Sequence, residues 1–197
     1  MLIFWRERLV FLATPKTAST AIEQALEPLA AMVVLRPPVL KHTNAHRFRR
    51  FLSPYLASAS GHDFELCALM REPRDWLGSW YRYRQRKEEV AEKSTSHLSF
   101  DAFVQAYCRD DRPEFANVGN QANFLAPNGK APVDHIFRYE EIDRFVAFLE
   151  DRLDCAITLP RVNVSPPGET ALPAATEALL CSFCARDFEI YAGLSAR

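Results

Sequence analysis

The fold is decided by residues 9–29, which read LVFLATPKTASTAIEQALEPL. Leu9 to Ala13 form a short apolar run that predicts a buried β-strand. From Ser19 to Leu29, apolar side chains recur at the spacing of one helix face, which predicts a helix. Ser19 or Thr20 is expected to cap that helix, because Glu23 stands at the capping-box position relative to Thr20. Residues 14–18 therefore join a strand to a helix.

Strand and helix patterns alternate along the rest of the chain. Further strands are predicted at 32–35, 64–70 and 135–138, and helices at 43–56, from Pro73, and near 99–108, 140–153 and 173–191. This alternation predicts an α/β fold with a central parallel sheet flanked by helices on both faces. The length of 197 residues predicts one domain spanning 1–197.

The composition is that of an ordinary globular protein, with 48% hydrophobic and 25% charged residues. It excludes disorder, collagen and coiled coil as the main class. The formal net charge of −1 hides a segregation of signs. Residues 1–87 carry 14 Lys+Arg and 7 Asp+Glu, whereas residues 88–197 carry 10 and 18. The basic N-terminal half predicts an anionic ligand.

Cysteine usage and hydropathy predict a soluble, cytoplasmic protein. The five cysteines are an odd number without a disulfide framework. Cys181 and Cys184 form one C-x-x-C, interpreted as buried thiols, with a redox motif or half of a zinc site as the alternative. The longest apolar run, near residues 25–35, falls short of the ~20 residues that span a bilayer. No membrane span is expected.

The turn at Thr14 to Thr20 has the ingredients of a phosphate-binding loop. A strand-to-helix turn points backbone N–H groups and the positive end of the helix dipole at one spot. Lys16 adds a charge there, and Thr17, Ser19 and Thr20 add hydroxyl groups. The loop contains no glycine, so it is not the G-x-x-x-x-G-K-[ST] loop of nucleoside triphosphate enzymes. An ordinary capped helix with a surface lysine remains the alternative.

A second strand-to-helix segment, residues 71–81, carries another candidate anion site. Arg71 stands at the end of the predicted strand, and Ser79 lies eight positions further. A planar guanidinium and a hydroxyl suit a phosphate. We expect the two side chains to share one if the chain bends back between them.

The two segments together resemble the sulfotransferases that use 3′-phosphoadenosine 5′-phosphosulfate (PAPS). Residues 15–20 are similar to the family's 5′-phosphosulfate loop, above all that of the heparan and uronosyl 2-O-sulfotransferases. Residues 71–81 resemble its 3′-phosphate element, and 138–141 and 187–191 resemble later segments. The resemblance implies a P-loop nucleotide-kinase-like fold, PAPS as donor, adenosine 3′,5′-bisphosphate (PAP) as product, and no metal. It assigns to cofactor binding Pro15, Lys16, Thr17, Ala18, Ser19, Thr20, Arg71 and Ser79.

The resemblance also implies catalytic roles for Lys16 and a histidine. Lys16 would offset charge that develops on the leaving phosphate. His42 lies where many carbohydrate sulfotransferases carry their general base, and Lys41 beside it should lower the histidine pKa. His46, one helical turn later, is the rival candidate.

The expected acceptor is a hydroxyl compound; a carbohydrate or glycolipid is favoured, and another lipid or a protein tyrosine is the alternative. Residues 36–50 carry five basic and no acidic side chains, which favours an acidic or sulfated glycan. Asn163 and Ser165 resemble a family loop over the nucleotide, and 87–99 is a candidate lid or an inert surface loop. The chain is shorter than most eukaryotic members, so it resembles a bacterial, minimal version.

Two other functions remain open at the level of sequence. The first is a nucleotide-dependent, kinase-like phosphotransferase, which would need a glycine-rich loop and a magnesium-binding acid. The second is a non-catalytic module that binds a polyanion through residues 36–87. A nucleic-acid partner is not expected, because no nucleic-acid-binding motif is present. The sequence does not indicate the oligomeric state.

Overall fold

The computed structural model describes residues 1–86, 90–126, 133–160 and 170–194. Its contacts divide the chain into two compact units. The first unit comprises Met1–Arg71 with Gln121–Asn163, and the second comprises Glu72–Asn120 with Val164–Arg197. The assignment of 1–197 to one domain stays a prediction.

The first unit is built on a five-stranded sheet of order β3-β1-β2-β4-β5. The strands are β1 (Leu2–Phe4), β2 (Leu9–Phe11), β3 (Met32–Val33), β4 (Glu65–Met70) and β5 (His135–Arg138). β2, β4 and β5 are parallel, as predicted, but β1 pairs antiparallel with both β2 and β3. The prediction of a single-sheet α/β fold is confirmed. The prediction of a wholly parallel sheet is wrong, because the chain begins with a hairpin.

That hairpin, formed by β1 and β2, escaped the sequence analysis. Leu2 pairs with Phe11 and Phe4 with Leu9, across a turn formed by residues 5–8. Arg8 closes the turn in the left-handed conformation, with φ of 51°. A sequence usually indicates a hairpin turn by Gly or Asn at left-handed positions. Because the left-handed residue here is an arginine, the amino-acid sequence does not indicate this turn.

The described residues form ten α-helices, in chain order: α1 (Ser19–Leu26), α2 (Pro38–Lys41), α3 (Ala45–Arg47), α4 (Ser53–Ser60), α5 (Pro73–Arg84), α6 (Phe100–Tyr107), α7 (Gln121–Leu125), α8 (Ile142–Leu153), α9 (Ala174–Phe183) and α10 (Ala185–Gly193). The patterns predicted most of them. The short helices α2 and α7 were missed, and the helix predicted at 173–191 is broken at Cys184.

A π-helical turn, Phe48–Leu52, joins α3 to α4 into one helical segment. Within it, the Ser53 N–H bonds to the Phe48 carbonyl. The next residue is Pro54, whose ring would clash with a carbonyl four residues earlier in a regular helix. The wider turn accommodates the proline without ending the helix.

The core of the first unit lies on both faces of the sheet. On one face, Phe4 and Phe11 pack with Ile22 of α1 and with Phe145 and Leu149 of α8. On the other face, alternate strand residues are at most 1% exposed, namely Ile3, Val10, Leu12, Leu66 and Ala68. Each of the larger side chains among them, those of Ile, Val and Leu, contributes about 1.5–3 kcal/mol when fully buried. This burial fixes the strand ends that carry the candidate site.

The second unit is helical and has its own core. Trp76 and Leu77 of α5 pack with Phe103 and Val104 of α6 and with Leu180 of α9. Trp76 and Trp80 meet edge to face at 6.1 Å between ring centroids, a favoured aromatic geometry.

The cysteines are all free thiols. Burial raises the pKa of Cys184 to about 12, so this thiol is protonated and unreactive near neutral pH. Cys181 is exposed, which corrects the interpretation of the pair as two buried thiols. Within the described ranges, no three His, Cys, Asp or Glu side chains form a group that could hold a metal ion. Of the helices described above, none has the length and hydropathy to cross a membrane.

Candidate functional site

The glycine-free loop lies between the end of β2 and the start of α1. Thr14 and Thr17 are completely buried, and the Thr17 hydroxyl donates to the Thr14 carbonyl at 2.9 Å. Lys16 and Ala18 both adopt the left-handed conformation, with φ of 65° and 56°. Left-handed residues in a turn gather backbone N–H groups into concavities that bind anions. The backbone thus takes, without glycine, a conformation that usually requires it.

The N-terminus of α1 has no side-chain cap. The N-cap residue is Ala18, which has no side-chain hydroxyl, whereas the sequence predicted Ser19 or Thr20. Helix N–H groups without an internal partner, together with the positive end of the dipole, favour an anion. Ser19 is 6% exposed in the first turn.

The side chain of Thr14 is a second indication that the loop binds a ligand. Its Oγ1 is buried and has no hydrogen-bond partner within the part of the chain that the structure describes. A buried hydroxyl without a partner is unfavourable by about 1–3 kcal/mol. A ligand oxygen in the loop is one means of removing that penalty.

His42 lies directly beside this loop. Its Nδ1 is 2.6 Å from the carbonyl oxygen of Ala13, the residue before Thr14. A carbonyl only accepts, so Nδ1 carries a proton and Nε2 holds the lone pair of the neutral ring. Burial is the main cause that lowers the His42 pKa; the hydrogen bond to the Ala13 carbonyl opposes this shift, and Lys41 adds to it. His42 is therefore neutral near pH 7, the state that a general base needs.

A buried carboxylate fixes the segment that carries His42. Glu23 of α1 is 2% exposed, and its two oxygens bind Lys41 Nζ at 2.7 Å and the Met1 ammonium at 2.8 Å. Lys41 Nζ also donates to Thr20 Oγ1 at 3.3 Å. Glu23 thus ties α2 to α1, instead of forming the predicted capping box with Thr20.

Arg71 reaches the same loop from the end of β4. Its Nη1 lies 3.5 Å from the carbonyl oxygen of Lys16. Its guanidinium lies 4.7 Å from the centre of the Tyr139 ring, a cation–π distance. β4 and β5 are parallel neighbours, so Arg71 and Tyr139 leave the sheet side by side.

Gln121 positions Arg71, and the sequence analysis missed it. The side chain is 1% exposed and accepts from the Arg71 N–H at 2.9 Å. Its amide nitrogen donates to the Arg71 carbonyl at 2.8 Å. Gln121 starts a helix of five residues, too short for an amphipathic pattern. No sequence signal marks this residue.

The other predicted residues are placed as follows. Pro15, Lys16 and Thr20 are half-buried in the first unit, whereas His46 is exposed on α3. Ser79 lies in α5 of the second unit and is 5% exposed, so its partnership with Arg71 stays a prediction. Asn163 and Ser165 lie outside the described residues.

The candidate lid, 87–99, is described from Val90 onward. Thr95 is fully buried, and its hydroxyl donates to the Tyr81 carbonyl at 2.8 Å. The Tyr81 hydroxyl in turn donates to the Leu98 carbonyl at 2.6 Å. These bonds attach residues 95–98 to α5.

The basic stretch 36–50 separates into two groups. Lys41 and Arg49 are used within the fold, since Lys41 pairs with Glu23, and Arg49 pairs with Asp134 at 2.7 Å. Arg36, Arg47 and Arg50 are exposed. Only these three face solvent as candidates for an anionic partner.

No protein-family profile, no curated protein and no solved structure matches this chain. The site is therefore interpreted from its own geometry.

Proposed function

We propose that this chain transfers a sulfuryl group from PAPS to a hydroxyl acceptor. The observation that supports it most is the 2.6 Å contact between His42 Nδ1 and the Ala13 carbonyl. This contact fixes the position and tautomer of an imidazole, which burial keeps neutral, at the start of a candidate anion-binding loop. A proton acceptor beside an anion cradle is the combination that transfer to a hydroxyl needs.

The anion side of the site suits a donor with two phosphate-like ends. The left-handed residues Lys16 and Ala18, with the uncapped start of α1, fit the 5′-phosphosulfate. Arg71 Nη1, 3.5 Å from the Lys16 carbonyl, lies close enough to bind an oxygen of the same ligand. Thr17, Ser19 and Thr20 carry hydroxyl groups in the loop and the first turn of α1; that of Thr17 donates to the Thr14 carbonyl, and that of Thr20 accepts from Lys41. In this proposal Ser79 keeps the role given by the sequence resemblance.

The chemistry is an in-line displacement at sulfur. PAPS supplies the activated sulfuryl group. The bond from sulfur to the bridging oxygen breaks as the acceptor oxygen bonds to sulfur. His42 Nε2 takes the acceptor's proton, and the electron pair of the broken bond remains on the leaving phosphate. Lys16 offsets the charge that develops there.

The composition of the loop favours sulfuryl over phosphoryl transfer. A nucleoside triphosphate loop wraps its phosphates with glycines, which allow close backbone approach. Here Pro15, Lys16 and Ala18 occupy the turn. The polyanion-binding alternative does not account for the placement of His42, since binding requires no neutral base.

The test combines ligand stabilisation with transfer from labelled PAPS to a panel of glycans and lipids. PAP should raise the melting temperature more than ATP–Mg or an oligonucleotide does. Arg71→Ala should remove that difference, whereas the matched control Arg36→Ala, at an exposed arginine, should keep it. A larger shift with ATP–Mg would indicate the phosphotransferase, and a shift with the oligonucleotide alone would indicate the binding module.

Catalysis is tested separately from donor binding. His42→Ala should keep the PAP shift but lower the transfer rate by about 100-fold or more, the usual contribution of a general base. His46→Ala is the matched control, because His46 is the exposed rival four residues away. Full transfer activity in His42→Ala or in Lys16→Ala would refute the catalytic assignments.

A further inference from the structure

One exposed helix face in the first unit is basic and aromatic. It is formed by the exposed residues Arg47, Arg50, Phe51, Pro54 and Tyr55, which lie three, four, seven and eight positions along from the first. Phe51 and Tyr55 are each 64% exposed. The opposite side of the same helical segment is buried through Ala45, Phe48 and Leu56. The segment is thus anchored on one side, and its outer side carries apolar rings where polar side chains would be usual.

Between Glu27 and Asp63 the chain contains five Lys+Arg and no acidic residue. Lys41 and Arg49 pair with Glu23 and Asp134, so the exposed cations of this stretch are Arg36, Arg47 and Arg50. Val39 and Leu40 of α2, in the same acid-free stretch, are 56% and 51% exposed. Exposed large apolar side chains next to unopposed cations are characteristic of surfaces that dock on anionic lipid.

The geometry around Phe51 favours a lipid surface over a ligand that stacks on the ring. The Arg50 guanidinium lies over the Phe51 ring, 5.1 Å from its centre. One face of the ring is therefore already occupied, which disfavours stacking on a nucleobase or a sugar. The rest of the Phe51 ring is open to solvent, since the residue is 64% exposed, and Tyr55 is equally exposed. Two exposed rings flanked by Arg47 and Arg50 fit an anionic lipid surface better than a single stacked ligand.

We infer that this face docks the protein on the surface of an anionic phospholipid bilayer. Phe51 and Tyr55 insert at the boundary between head groups and acyl chains, and Arg47 and Arg50 bind lipid phosphates. The inference is independent of the proposed transfer reaction, because it requires neither PAPS nor His42.

The test is co-sedimentation of the full chain with vesicles of phosphatidylcholine, with and without phosphatidylserine. Binding is expected only with phosphatidylserine, and added salt should weaken it. Arg47→Glu/Arg50→Glu should reduce binding at least about tenfold, since each basic residue near an anionic surface contributes about 1 kcal/mol. The matched control Arg109→Glu/Arg144→Glu makes the same charge change at exposed arginines elsewhere and should bind more than the first variant.

The aromatic part is tested by Phe51→Ser/Tyr55→Ser, which should lose most binding although every arginine remains. Phe51→Leu/Tyr55→Leu should keep it, because leucine still inserts. Circular dichroism checks that each variant is folded, and the leucine variant keeps the test decisive if the serine variant is not. The inference is overturned if the parent binds no phosphatidylserine vesicles, if the folded serine variant binds like the parent, or if only an oligonucleotide or heparin is bound.

Discussion

His42 and Ala13 are joined by a hydrogen bond of 2.6 Å between the imidazole Nδ1 and the backbone carbonyl oxygen. A strand end thereby sets both the position and the tautomer of a histidine 29 residues away. The carbonyl belongs to Ala13, the residue directly before the candidate anion-binding loop. Any displacement of the loop therefore also displaces the candidate base.

The pH dependence of transfer should report the environment of His42. The base acts when neutral, so activity is lost as pH falls through its pKa. Burial lowers that pKa below the ordinary histidine value of 6.5, so the acid limb of kcat/KM should lie below pH 6.5. His46→Ala should leave the limb in place. A limb at or above 6.5 would assign the titrating group to another residue.

The substitution Ala18→Gly should raise the free energy of unfolding. The φ of 56° at Ala18 is unfavourable by about 1–2 kcal/mol for a residue with a Cβ, and glycine removes much of this penalty. The matched control is Ala21→Gly, the same change inside α1, which should lose about 1 kcal/mol. Urea unfolding measures the free energy of unfolding of both variants, which should rise for Ala18→Gly and fall for Ala21→Gly. Equal losses would contradict the left-handed assignment.

Glu23→Gln should lower the free energy of unfolding by about 3 kcal/mol, because it leaves buried cations without their carboxylate. Glu23 is 2% exposed and binds Lys41 Nζ at 2.7 Å. The matched control is Glu27→Gln at the exposed start of the next turn, which should change stability by less than about 0.5 kcal/mol. Similar losses in the two variants would show that the Glu23 ion pairs contribute little.

Gln121→Ala should weaken PAP binding without removing any group that contacts the ligand. It deletes both hydrogen bonds to the Arg71 backbone, at 2.9 and 2.8 Å, so stability should fall by about 2 kcal/mol. Titration calorimetry measures affinity, and urea unfolding measures stability. In Gln121→Glu only the bond that accepts from the Arg71 N–H can form, so an intermediate loss is expected. If affinity is unchanged while stability falls, Gln121 does not position Arg71.

Gly78→Ala tests packing in the second unit. A Cβ at Gly78 would lie 2.6 Å from Thr170 Cγ2, too close for any contact between carbons. Overpacking of this kind is unfavourable by about 1–3 kcal/mol. Thr170→Ser removes the methyl group, so Gly78→Ala/Thr170→Ser should recover the loss. Without that recovery, the close approach is not the cause.

Local sequence patterns predicted much of the fold, because apolar runs and capping residues mark many of its strands and helices. Strand β4 and helix α5 follow from an apolar run and from Pro73 in the first helical turn. The hairpin was missed because Arg8, not glycine, closes its turn. The wholly parallel sheet was wrong for the same reason, since β1 reverses the chain direction.

The candidate site was predictable only in part. Lys16, His42 and Arg71 follow strand ends or short helices, so their types and spacing carried a signal. The role of Glu23 depends on Lys41, 18 positions further along the chain, and the role of Gln121 depends on Arg71, 50 positions earlier. Such pairings depend on tertiary contacts that no periodicity encodes. Capping rules favoured Thr20, but the fold used Ala18.

The side chains of the loop determine how much conformational freedom it has before a ligand binds. Pro15, and residues with a Cβ at 16 and 18, restrict the conformations open to the empty loop far more than glycines would. If the loop binds an anion as proposed, little ordering entropy would be lost on binding. The same stiffness would limit adaptation to ligands of another size. Selectivity would then be set by the shape of the empty loop, before any ligand binds.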